Sequence, residues 1–316
     1  MTELKKAMIV NLLGRRFGFR SYMELATPST GRFYAGIDRD YFDQVARMMY
    51  LTPFVFDDGM KIDFRSPDED ITGVLEDFRQ SGRRVDISLV DGWHTYRTAY
   101  RDLVQMFDLL NDGGILVVHD CLPLSREGAA PRFRLGEWCG MSYKAFLDFV
   151  LQTSSLDYFT IDCDHGCGVI VKNRDFGSVM GPDAASGWLP ARPAKDLVTR
   201  WLDVKADVDL AYDLFEVQRE QLLRLVPEDR FMTLLANEVL DLERSASKPP
   251  KKQSKKQSKR SSEGPRPRIA NLLMRLLQRK LASLMGRKTG ATPSRAKPVR
   301  PSPPEGRNEN HQSQDP

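Results

Sequence analysis

Val85 to Asp120 reads VDISLVDGWHTYRTAYRDLVQMFDLLNDGGILVVHD, and its hydrophobic spacing changes from that of a buried strand to that of a helix and back. Val85 to Val90 is a short β-branched run that ends on Asp91, with Gly92 and His94 directly after it, as in a buried parallel strand opening into a loop. Thr95 to Leu110 carries Ala99, Leu103, Met106, Phe107 and Leu110 at helical intervals. Asn111-Asp112-Gly113-Gly114 stops that helix, and Ile115 to Val118 form a second buried strand ending on His119-Asp120. A right-handed βαβ unit puts both strand C-termini on one edge of the sheet, the edge where open α/β sheets bind ligands. Asp91, His94, His119 and Asp120 are therefore expected to face one crevice. A carboxylate beside an imidazole raises its pKa and holds its tautomer, which suits a general base. Two such carboxylates, Asp91 and Asp120, can also share a divalent cation, Mg2+ or another. Of the four histidines, His94, His119 and His165 fall at strand ends or turns, and His311 lies in a polar tail. Taken singly each could be a hydrogen-bonded loop histidine; two Asp-His pairs on one edge favour chemistry.

Working outward, an N-terminal helix is expected over about Glu3 to Arg16, followed by a first strand, Ser21 to Ala26, and a second, Arg32 to Asp38. A helix from Tyr41 to Leu51 would carry Phe42, Val45, Met48 and Met49. A weaker strand around Lys61 to Phe64 and a helix from about Asp68 to Gln80 come next, and Ser142 to Gln152 is a further helix. Leu156 to Ile161 and Gly168 to Lys172 are strands separated by only Asp162 to Cys167, too few residues for a crossover helix, so they form an antiparallel hairpin. The expectation is an α/β, Rossmann-like fold: a mostly parallel sheet closed by a terminal antiparallel hairpin, with flanking helices.

The chain has 316 residues, 41% of them hydrophobic, enough for a full core. From Lys248 onward there are 18 Lys or Arg against 4 Asp or Glu, a net of +14, so the overall +4 leaves −10 for residues 1–247. An acidic globular part is joined to a strongly basic tail. No apolar run approaches the roughly 20 residues that span a bilayer, and the N-terminal stretch does not have the form of a secretory signal, so the default location is cytoplasmic. Cys121, Cys139, Cys163 and Cys167 include no CxxC pair, and reduced, partly buried thiols are a simpler account of them than zinc.

The combination YMELA, DGWHTY, GGILVVHDCLP, MSYKAFLDFV and CDHGCGVIVKN resembles a bacterial class I S-adenosylmethionine-dependent methyltransferase family recognisable by DGxHxY, GGxxxxHD and a late GCGVI. The resemblance covers about residues 18–174. It implies methyl transfer to oxygen on a sugar, glycoside or other small hydroxylated acceptor, with S-adenosyl-L-methionine as methyl donor. Position by position, Glu24 matches the acidic residue opening the cofactor loop, with Ala26 and Gly31 in that loop. Asp38 matches the carboxylate that holds the ribose hydroxyls. Asp91 and His94 match DGxH, and His119 and Asp120 match the HD pair. On this reading Asp91 belongs to the cofactor side, and His94, His119 and Asp120 to catalysis. The usual ExGxxxG departs to Glu24-Leu-Ala26-Thr-Pro-Ser-Thr-Gly31, which replaces the first glycine and places a proline where an amide donor would be. The competing reading is a non-catalytic binding or scaffold protein of the same fold.

The expected organisation is a methyltransferase-like domain over 1–175, a helical appendage over 176–247 that packs on the sheet domain or serves as a dimerising or lid element, and a basic Pro-rich disordered tail over 248–316. In the appendage Asp196 to Leu242 reads as one or two helices. Within the tail, about 268–288, Ile269, Leu272, Leu273, Leu276, Leu277, Leu281, Leu284 and Met285 make an apolar stripe flanked by basic residues without an acid. Such a helix suits an anionic membrane surface or an acidic protein better than nucleic acid, and a peripheral location at a membrane follows from it. A homo-oligomer is left open.

Overall fold

A computed structural model describes residues 4–26, 36–50, 64–66, 72–180 and 187–246. Met1–Pro250 forms one compact unit; residues 251–316, with the amphipathic stretch at 268–288, lie outside the described residues.

The βαβ unit read from the sequence is present as β4 (Val85–Asp91), α3 (Tyr96–Asp108) and β5 (Leu110–Val118). Before it come α1 (Lys6–Phe17), β1 (Ser21–Ala26), β2 (Gln44–Tyr50), β3 (Phe64–Ser66) and α2 (Thr72–Gln80). After it come α4 (Ser142–Gln152) and the hairpin β6 (Leu156–Asp162) and β7 (Cys167–Lys172). With β8 (Leu225–Pro227), the sheet order is β3-β2-β1-β4-β5-β7-β6-β8, with β7 antiparallel to both neighbours and every other pairing parallel. Strand order reverses between β1 and β4, the topological switch point of a doubly wound sheet.

Successive side chains of a strand face opposite sides, and the core divides accordingly. Met23, Leu25, Met48, Val90, Leu116 and Val118 pack under α3 and α4, while Tyr22, Ile87, Leu89, Ile115 and Val117 pack under α1, which contributes Ile9, Val10, Leu12 and Leu13.

Three sequence expectations are corrected. The helix expected over Tyr41 to Leu51 is strand β2: Gln44 to Met49 run in register beside Ser21 to Ala26, and Ala46 and Met48 enter the core on one face while Arg47 is buried on the other. The strand expected over Arg32 to Asp38 is a turn at 36–38, its earlier residues lying outside those described. Asp196 to Leu242, expected as one or two helices, falls on four, α6 (Lys195–Val204), α7 (Val208–Leu223), α8 (Glu228–Leu234) and α9 (Ala236–Ala246), with the short strand β8 between α7 and α8. A short α5 (Phe176–Met180) precedes them. β8 pairs with β6, and the buried Arg224 guanidinium ion-pairs with Asp157 and donates to the Tyr158 carbonyl (2.7 Å). These contacts make the segment part of the same α/β unit. No described helix is long and apolar enough to cross a membrane.

Candidate active site

The C-terminal ends of β4 and β5 bring Asp91, His94, His119 and Asp120 together. Asp91 is the last residue of β4 and the register partner of Ala26 at the end of β1. His94 follows on the loop into α3. Its Nδ1 lies 3.0 Å from the Trp138 carbonyl, so the Nδ1–H donates there and Nε2 points at the carboxylates. Nε2 is 3.1 Å from Asp120 Oδ2 and 3.5 Å from Asp91 Oδ1. The loop that supplies this carbonyl closes on His94 through Gly140, at φ 57°, where a Cβ would sit 2.4 Å from the His94 carbonyl oxygen. Asp120 has φ 62°, a left-handed conformation unusual for a non-glycine residue, and there its two oxygens meet two different imidazoles. One is His94; the other is His119, whose Nδ1 is 3.2 Å from Asp120 Oδ1 and 3.4 Å from Asp91 Oδ1.

Two groups missing from the sequence reading complete the cluster. Lys6, on the first turn of α1 and only 1% exposed, puts its ammonium 2.7 Å from Asp91 Oδ2 and 3.2 Å from His119 Nδ1. Asp164, in the β6–β7 turn, faces His119 Nε2 at 3.4 Å and accepts from the Lys6 backbone N–H (3.2 Å) and the Lys5 ammonium (3.1 Å). The turn reaches the site because Gly166, at φ 84°, lets residues 121–122 pack against it: a Cβ there would lie 2.4 Å from that of Leu122. Lys6 had one local signal: with Ile9, Val10 and Leu13 it lies on the buried stripe of α1, where a charge is out of pattern.

The electrostatics follow from burial among opposite charges. Burial alone would push His94 and His119 down, but the Asp91 hydrogen bond and the Asp120 and Asp91 charges outweigh it for His94, and Asp120 and Asp91 do so more strongly for His119. Both imidazoles are held above their ordinary value. Burial pushes Asp91 up, and the His119 and Lys6 charges bring it well below the carboxylate range; His119 lowers Asp120 in the same way. The donor atoms of Asp91, His94 and Asp120 lie within 4.8 Å of one another, close enough to converge on one cation.

Glu24 lies inside β1, fully buried, accepting from the Tyr22 hydroxyl (2.9 Å) and facing Arg47 (3.5 Å). Burial raises its carboxyl to about 7. Ala26 ends β1 on the site edge; Gly31 lies outside the described residues. Asp38 departs from expectation. It precedes β2 instead of following it and, among the described residues, its carboxylate ion-pairs with Arg15; its backbone N–H donates to Asn11 (2.9 Å). Arg15 is nine residues along α1 from Lys6, about 13 Å at the helical rise, and away from the strand C-termini. A carboxylate there cannot meet a ligand at the switch point. His165 packs edge-on to His119 at 6.4 Å between ring centres, outside the carboxylate cluster.

Beside His94 lies a group of aromatic rings. Trp138 is 5.3 Å from the imidazole between ring centres, Trp93 is 5.9 Å from Trp138, and Phe133, 60% exposed, stacks on Trp93 at 6.3 Å.

Residues 23–121 match the model of a family described as a methyltransferase domain. The matched stretch contains Asp91, His94, His119 and Asp120 and leaves out Lys6 and Asp164. No curated protein matches the chain. Among solved structures, the O-methyltransferase TomG from Streptomyces achromogenes, in complex with SAM, is similar at 12% identity over 52% of this chain and 78% of that one, with a TM-score of 0.41. Cofactor-bound Rv0187 from MTB is similar at 13% identity over 55% and 83%, TM-score 0.41. The SAH-bound methyltransferase PaMTH1 from Podospora anserina is similar at 14% identity over 55% and 80%, TM-score 0.41. The matched stretch runs from within β1 to just past the end of β5.

Proposed function

We propose that the α/β unit transfers a methyl group from S-adenosyl-L-methionine to a hydroxyl of a small acceptor, with His94 as the base. The observation that carries this reading is the His94 geometry. Its Nδ1–H is committed to the Trp138 carbonyl, which leaves Nε2 as the nitrogen that takes or gives a proton. Asp91 and Asp120 flank that nitrogen and stabilise the imidazolium formed when it takes the acceptor's proton. When bound, the donor supplies an electrophilic methyl on a sulfonium, so the acceptor oxygen needs only a base and a position. The β1–β4 edge suits the donor: Ala26 and Asp91 are register partners at the strand ends, and Gly92, which has no Cβ, follows. Glu24 and Ala26 belong to that side, as does Asp91. His119 and Asp120 hold the base and its counter-charge.

The half-buried Trp93 ring and the exposed Phe133 ring stacked on it beside His94 suit an acceptor with one apolar face and a ring hydroxyl, as a sugar, glycoside or other hydroxylated ring presents. Calorimetry of the full chain with S-adenosylmethionine and S-adenosylhomocysteine tests the reading. Binding of both, followed by methylation of a hydroxylated acceptor with loss in His94→Gln, is the expected result. Absence of binding by either would favour the non-catalytic binding or scaffold reading.

The basic tail is assigned a separate task, contact with an anionic membrane surface or an acidic protein, on its composition alone.

A further inference from the structure

An ammonium is rarely buried without a reason, and Lys6 is buried at the centre of the site. It does not arrive there on a loose arm. The first turn of α1 is pinned to the β6–β7 turn through Asp164, which accepts from the Lys6 backbone and from the Lys5 side chain. The rest of α1 is packed across the sheet by Ile9, Val10, Leu12 and Leu13. The helix therefore delivers the ammonium to one place, between Asp91 Oδ2 and His119 Nδ1.

That place matters because Asp91 and Asp120 are the carboxylates that would share a divalent ion. Their donor atoms are compact enough, but the arrangement does not fit one. A hard divalent ion needs carboxylate oxygens turned toward it with positive groups held away. Here one Asp91 oxygen is on the Lys6 ammonium and the other faces His94 and His119. The two Asp120 oxygens face His94 and His119 in turn. Lys6 and Lys5 already stand as cations against Asp91 and Asp164. A divalent ion entering this cluster would bring two further positive charges within contact of an ammonium.

We infer that the Lys6 ammonium is the resident cation of this centre: it holds Asp91 Oδ2 beside His119, so that Asp91 and Asp120 are not free to share a divalent ion. It is a positioning residue: by taking Asp91 Oδ2 it turns Oδ1 toward His94. α1, outside the matched family stretch, is then part of the active site. Only the consequence for turnover rests on the methyltransferase reading; the occupancy itself does not.

The test uses the full chain and Mn2+ as probe, followed by loss of the free-ion magnetic resonance signal. The parent should take up Mn2+ only weakly, and Lys6→Ala should bind it at least tenfold more tightly. Asp91→Asn added to Lys6→Ala should abolish the gain. Lys6→Met keeps the buried stem and should show the same gain if the alanine variant folds poorly, whereas Lys6→Arg, which keeps the charge, should behave as the parent does. Tight Mn2+ binding by the parent that is lost in Asp91→Asn or Asp120→Asn would overturn the inference, and so would folded Lys6→Ala and Lys6→Met proteins that gain nothing. These readouts need no S-adenosylmethionine, so failure of the methyltransferase reading would show separately, in the calorimetry.

Discussion

Replacing Asp148 by leucine should loosen the hold of the C-terminal helices on the sheet, and the size of the effect follows from its three partners. The Asp148 carboxylate accepts from the Lys144 ammonium (2.8 Å) within α4, from the Tyr96 hydroxyl (2.7 Å) on α3 and from the Trp201 indole N–H (2.8 Å) on α6. Asp148 and Trp201 are fully buried and Lys144 nearly so. Removing one partner of a buried ion pair costs about 3–5 kcal/mol, because the remaining charge is left uncompensated. A buried indole N–H without its acceptor adds about 1–3 kcal/mol, while Tyr96, at the surface side, can turn to water. The losses share one carboxylate and do not simply add, so about 4–6 kcal/mol is expected in total. At about 2–4 °C per kcal/mol for a domain of this size, Tm should fall by about 10–20 °C. Thermal and urea unfolding followed by near-UV circular dichroism measure it. Adding Lys144→Met to Asp148→Leu removes the stranded charge and should recover more than half the loss. A Tm for Asp148→Leu within about 2 °C of the parent, or no recovery in the double variant, would refute the reasoning.

Further outcomes concern the site and the tail. His94→Gln should lower turnover by about 100-fold or more while S-adenosylmethionine affinity holds, as loss of a general base requires. Because neutral Nε2 is the base and its pKa is raised, turnover should climb with pH through a point above 6.5, and Asp120→Asn should move that point down. Stability has the opposite signs at the two ends. The raised imidazoles of His94 and His119 stabilise fully below 6.5 and lose that contribution as pH rises through their folded values; the depressed Asp91, Asp120 and Asp164 stabilise above 3.8 and lose theirs as pH falls. Buried Glu24, raised from 4.5 to about 7, costs stability as pH rises through that interval, so unfolding midpoints across pH should peak on the acid side of neutrality. Asp38→Ala should leave cofactor affinity unchanged, and a tenfold loss would return Asp38 to the cofactor site. The full chain should bind anionic vesicles more weakly as salt rises, and Leu273→Asp with Leu277→Asp should reduce that binding although most of the positive charge remains; survival of binding would mark the tail as purely electrostatic.

How much of this was readable before folding depends on the range of the interaction concerned. The strands around Asp91 and His119, α4 and the β6–β7 hairpin follow from local signals: a β-branched run, helical spacing over Ser142 to Gln152, and a connection too short for a crossover; Asn111 to Gly114, expected to stop the preceding helix, instead lie within β5. The right-handed βαβ rule then places Asp91, His94, His119 and Asp120 on one edge without coordinates. Val45, Met48 and Met49 suit a helix by spacing, yet Gln44 to Tyr50 is a strand, because pairing with β1 and burial of Arg47 against Glu24 outweigh local preference. The misplacement of Asp38 follows from that same shift of β2. β8, with three residues, is too short to announce itself and exists because β6 offers an edge.

The local alternation of residues thus determined the switch-point edge and the acids and imidazoles on it, since strand ends are properties of neighbouring residues. Only the packed chain could bring Lys6 to Asp91, 85 positions away, and to His119, 113 positions away, because a helix crossing the sheet joins residues that share no local pattern.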